Sequence, residues 1–101
     1  MNTSLISIEA YLHPSYHPNR EFVDGQVFER NWGEKTHSAA HGEVIGCLAA
    51  RSAEYGVKVF PGVRVQVGAA RIRVPDVTIS KNSQFQGEIF RNPPYLCMEI
   101  L

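Results

Sequence analysis

The rhythm of apolar and polar positions changes once along this chain, near Gly56. Before that glycine, His37, His41, Val44, Leu48, Arg51 and Tyr55 recur at three-and-four spacing, which places them on one face of a helix. This spacing predicts one substantial helix from Thr36 to Tyr55, capped by Thr36 and stopped by Gly56. Gly42 and Gly46 weaken it by about 1 kcal/mol each relative to alanine. Their lack of a side chain also lets another element approach closely. Beyond Gly56, "VKVF", "RVQV", "RIRV" and "DVTIS" alternate apolar and polar residues, as half-buried strands do. Pro61-Gly62 and Gly68-Ala69-Ala70 separate them.

The two ends complete the order. In "SIEAYLHPSY", Ser7 precedes Ile8, Tyr11 and Leu12, a short capped helix that His13-Pro14 terminates. In "REFVDGQVFERN", Asp24-Gly25 lies between short apolar segments, a hairpin signal anchored by Phe22 and Val27. "KNSQFQGEIFRNPP" reads as a polar loop with one helical turn. "YLCMEIL" is nearly all apolar, which predicts a strand buried on both faces. The sum is a mixed α/β layout: short helix, hairpin, long helix packed on a central mixed sheet, and a closing strand.

Composition sets the bounds. The 101 residues suit a single domain spanning 1–101, with 44% hydrophobic and 20% charged residues. No apolar run approaches a membrane span. "MNTSLISIEAYL" lacks a basic region ahead of its apolar residues and carries Glu9, unlike a secretion signal. Cys47 and Cys97 have no C-x-x-C spacing and fit a reducing cytoplasm, where both read as core residues. Net charge is zero, against a generic nucleic-acid binder. Arg64, Arg71 and Arg73, with Arg51 and Lys58 upstream, could still form a local basic patch.

Two carboxylates change the picture. Asp76 opens the strand "DVTIS" and Glu99 interrupts "YLCMEIL". Carboxylates inside a core are costly unless paired or holding a cation. If the two strands are neighbours, Asp76 and Glu99 converge at one strand end, and an oxygen-rich pair of this kind takes Mg²⁺ or Mn²⁺. The alternatives are a Pro-Asp strand entry bonding local amides, and a Glu99 that is solvated or paired with an arginine. His37 and His41 lie one helical turn apart, a spacing zinc sites use, but on the inward stripe they read first as packed, hydrogen-bonded imidazoles. Glu43 lies off that stripe. Asp24 reads as a turn residue and Glu21 as a solvated strand residue that could reach the acid pair if the hairpin folds back. Gln66 lies on the polar side of its strand, toward the same cleft.

Together, "EFVDGQVFERNWGEKTHSAAHGEVIGCL", "RVQV", "RVPDVTIS" and "PPYLCMEIL" resemble the Uma-two family of restriction-endonuclease-like proteins, in the PD-(D/E)XK nuclease-like superfamily. Pro75-Asp76 matches the family's PD and Glu99 the acid of the following strand; Glu21, Asp24, Gly25 and His37 match recurrent N-terminal features. The resemblance implies a restriction-endonuclease-like core and a Mg²⁺- or Mn²⁺-dependent endonuclease acting on nucleic acid, DNA first. Asp76 and Glu99 would be metal ligands and catalytic, with His37 as a further catalytic candidate. The superfamily lysine two residues after the second acid is replaced by Leu101. Family members continue beyond this strand, so the chain looks like the N-terminal portion of a longer fold. Poor or absent catalysis is then expected. The alternative is a non-catalytic binding module that self-associates as a homodimer through an open strand edge.

Overall fold

The computed structural model describes residues 5–13, 20–29, 34–82 and 87–101. The first helix is short: α1 spans Ile8–Tyr11, and the Ser7 hydroxyl accepts the Ala10 amide at 3.1 Å. Strands β1 (Arg20–Val23) and β2 (Gln26–Glu29) form the expected hairpin, pairing Phe22 with Val27. Its turn needs positive φ at both central residues, and Asp24 (49°) and Gly25 (90°) supply it.

The long helix is divided. Helix α2 runs Lys35–Ala50 and α3 runs Ser52–Tyr55, with Arg51 between them at φ −109°, ψ 5°. The Ser52 hydroxyl takes the Ala49 carbonyl at 2.8 Å, so a side chain competes for an acceptor of the last turn. Thr36 is not the cap. Glu34 occupies that position in extended backbone without a side-chain cap bond. Gly56 ends α3 in the left-handed region, at φ 64°. Among the described residues, nothing stands within 4 Å of a side chain added at Gly42 or Gly46, so no described element approaches either glycine closely.

The expected class stands, a mixed α/β molecule with a long helix on a sheet, but the single central mixed sheet does not, because the strands pair antiparallel in two separate sheets. The strands β3 (Val57–Pro61), β4 (Val65–Gly68), β5 (Arg71–Arg73), β6 (Val77–Lys81) and β7 (Leu96–Met98) join the hairpin in two sheets. Their orders are β2-β1-β5-β4 and β3-β6-β7, and every ladder among the described residues is antiparallel. A parallel bridge, Val65 with Phe90, lies outside the ladders.

The first sheet carries the core. Tyr11, Phe22, Ile72 and Ile89 are buried together, with Ile6, Ile8, Leu12, Val27 and Ala70 packed around them. Tyr11 also donates its hydroxyl hydrogen to the Arg20 carbonyl. Ile89 and Phe90 come from the segment expected to be a polar loop. Phe90 is pinned by exchanging backbone bonds with Arg64 and Gln66, which buries both apolar side chains. On the second sheet, α2 and α3 pack against β3.

The closing strand differs from its expected double burial. β7 lies at the edge of its sheet, and Tyr95 and Leu96 are 60% and 41% exposed. Only β6 flanks it among the described strands, so its apolar character is not matched by burial. Cys97 on that edge and Cys47 on the outer side of α2 are exposed free thiols rather than core residues.

Candidate functional site

The two sheets meet in the segment between β5 and β6. Val74, Pro75 and Asp76 are buried there, and Asp76 is only 1% exposed. A buried carboxylate needs donors, and this one accepts the Ile100 amide at Oδ2, 2.8 Å away. Glu99 returns the bond: its Oε1 accepts the Asp76 amide at 3.3 Å. Pairing of β6 with β7, which sets Val77 opposite Met98, carries the two acids to adjacent strand ends. The convergence expected from strand faces is therefore present, with Asp76 buried and Glu99 exposed.

Helix α2 approaches the same point with two imidazoles. His37 Nε2 lies 3.0 Å from the Ile100 carbonyl and 3.5 Å from Asp76 Oδ2. His41 Nε2 lies 2.6 Å from the Asp76 carbonyl. The i, i+4 spacing in the sequence was the signal for this pair.

Glu21 is not the solvated residue its position suggested. Its carboxylate, 16% exposed, accepts the Val74 amide at 2.7 Å and faces Arg73 Nε at 3.4 Å. The hairpin thus braces the segment that presents Asp76. Asp24 keeps its turn role and pairs with Arg71 at 3.1 Å. Gln66 donates its side-chain amide to Gly68 on its own strand.

The basic patch is largely committed to protein acids. Arg71 and Arg73 pair with Asp24 and Glu21, and Arg51 faces Glu54 at 3.5 Å. Arg64 lies over the Tyr11 ring, 5.6 Å from its centre, with Nη1 buried and no hydrogen-bond partner among the described residues.

Cys97, across the ladder from Thr78, has its thiol pKa pushed up. The residue is exposed overall, and partial desolvation of its sulfur against β6 is the main cause; the facing Thr78 side chain works against it, and the Glu99 charge adds to it.

The donor set suits a hard cation. It offers two carboxylates, and an ionised carboxylate has about four acceptor positions. No group of three His, Cys, Asp or Glu side chains is gathered closely enough to enclose an ion among the described residues. An ion here would be held by the pair and completed by water or phosphate oxygens, the mode Mg²⁺ adopts.

No family model matches the chain, and no curated protein matches it. A solved structure does: the crystal structure of "a putative nuclease belonging to DUF820" from Anabaena variabilis ATCC 29413 superposes with a TM-score of 0.80. The fold is nuclease-like. Sequence identity is 21%, over 95% of this chain and 58% of the other, so the chain spans little more than half of that protein's length.

Proposed function

We propose that this chain is a nuclease-like domain in which Asp76 and Glu99 hold Mg²⁺ or Mn²⁺ for hydrolysis of nucleic-acid phosphodiesters. The observation that carries the reading is the reciprocal bonding of the two acids, each carboxylate on the other strand end, 23 residues apart in sequence. The likeness to a protein described as "a putative nuclease" supports it, as does the resemblance of Pro75-Asp76 and Glu99 to the Uma-two pattern. A bound divalent ion supplies a more acidic water and offsets charge on the phosphate. The chain's own part is orientation: Asp76 is aimed by the Ile100 amide and Glu99 by the Asp76 amide. Leu101, fully exposed, stands where the superfamily has lysine. No ammonium at that position assists the attacking water, so turnover is expected to be low. DNA is the substrate proposed first, on the family resemblance. A cytoplasmic setting belongs to the same reading and agrees with the free thiols. Among the described residues no helix is long and apolar enough to cross a membrane.

Calorimetric titration of Mn²⁺ into wild type and Asp76→Ala tests the metal. Binding heat in the first and none in the second is expected; identical heats would remove the site. Nicking of plasmid DNA with Mg²⁺, with Asp76→Asn as control, then tests the chemistry.

A second reading rests on β7. An edge strand with exposed Tyr95 and Leu96 offers unpaired backbone groups to a second copy, giving a non-catalytic self-associating module. Light scattering after size exclusion decides this: a dimer supports it and a monomer at high concentration counts against it.

A further inference from the structure

His37 and His41 point the same kind of nitrogen at the same kind of acceptor. A backbone carbonyl can only accept, so each Nε2 must carry its hydrogen: His37 donates to Ile100 at 3.0 Å and His41 to Asp76 at 2.6 Å. A metal ligand offers a lone pair, and these nitrogens have none to offer. The two bonds land instead on residues already joined by the acid pair. Asp76 accepts from Ile100 through its side chain, and Glu99 accepts from Asp76. Five residues from one helix and two strand ends are therefore joined in a single hydrogen-bonded network.

We propose that His41, with His37 beside it, is a positioning residue: the two imidazoles clamp the strand ends to α2 and fix the relative placement of the Asp76 and Glu99 carboxylates. The consequence for metal binding rests on the reading above; the clamp itself does not. The one-turn spacing matches the task, because residues four apart on a helix stand on one face and can hold two neighbouring strand ends at once. His41 reaches Asp76 through its carbonyl, leaving the carboxylate to its other partners. Groups that orient ligating carboxylates in this way typically change metal affinity about 10–100-fold when removed.

The test compares His41→Leu, His41→Asn and His41→Gln by two readouts, Mn²⁺ affinity from calorimetry and hydrogen exchange of the Ile100 amide. Glutamine places an N–H near the Nε2 position, whereas asparagine stops short of it. The expected result is an affinity about 10–100-fold weaker in Leu and Asn, faster exchange at Ile100 than at the other slow amides of β6 and β7, and recovery of both in Gln. If the leucine variant does not fold, the Asn and Gln pair carries the comparison. Wild-type behaviour in Asn overturns the clamp. So does exchange that rises equally at every amide, which would mark general destabilisation. Should wild type bind no Mn²⁺, the metal reading fails, and the exchange data alone decide whether the clamp exists.

Discussion

Asp76 and Glu99 bind each other's strand through their carboxylates: Asp76 Oδ2 holds the Ile100 amide at 2.8 Å, and Glu99 Oε1 holds the Asp76 amide at 3.3 Å. The acids are thus structural before they are chemical. Asp76→Ala removes an acceptor from a partly buried amide, which costs about 1–3 kcal/mol. Asp76→Asn keeps an oxygen in place and should lose less than half of that. Urea unfolding of the three proteins measures it; an alanine variant as stable as wild type would show that the bond adds nothing to the fold.

Glu21 braces the same segment from the other sheet. Its bond to the Val74 amide is shielded, while its Arg73 partner is 56% exposed. Glu21→Ala is expected to cost about 1–3 kcal/mol through the orphaned amide. Arg73→Ala should cost less than about 1 kcal/mol, as exposed ion pairs do. Denaturant midpoints for the two variants give the order, and a larger loss from Arg73 would reverse the argument.

Gly42 and Gly46 sit in the body of α2 with open space where a side chain would be. Alanine at either position should add about 0.8–1.0 kcal/mol. For a domain of this size, that is about 4–8 °C in Tm per kcal/mol. Thermal melts followed by circular dichroism check it. A fall in Tm would mean that the glycines serve an approach not present among the described residues.

The raised thiol pKa of Cys97 gives a pH dependence with a definite sign. Above the ordinary thiol value the unfolded chain releases a proton that the folded chain keeps. This contribution to stability is therefore complete at lower pH and is lost as pH rises through the folded value. Cys97→Ser should remove that slope. Glu99→Gln should move the thiol's titration downward, because a neighbouring negative charge is gone. The rate of alkylation against pH reports the titration directly, and an unchanged midpoint would place the Glu99 charge elsewhere.

Much of this arrangement was legible in the chain. Alternation marked β3 to β6, Asp24-Gly25 marked the hairpin, Gly56 marked a helix end, and Pro75-Asp76 with Glu99 marked the acids. These are local signals: side-chain period, turn chemistry and backbone freedom act within a few residues. The reading failed where a residue's fate depends on distant partners. Ile89 and Phe90 looked like loop and are buried, because Arg64 and Gln66 hold that segment against β4. "YLCMEIL" looked doubly buried and is an exposed edge, because burial depends on what lies alongside and not on apolar content.

The sequence by itself determined which segments become helix and strand and which side chains bring acid and imidazole chemistry. Tertiary structure alone decided that Asp76, Glu99, His37 and His41 meet, and that Glu21 supports them from the opposite sheet. The physical reason is that these contacts join residues from 23 to 63 positions apart. No short-range preference encodes them; they exist only once strand pairing and the packing of α2 against β3 have fixed the register.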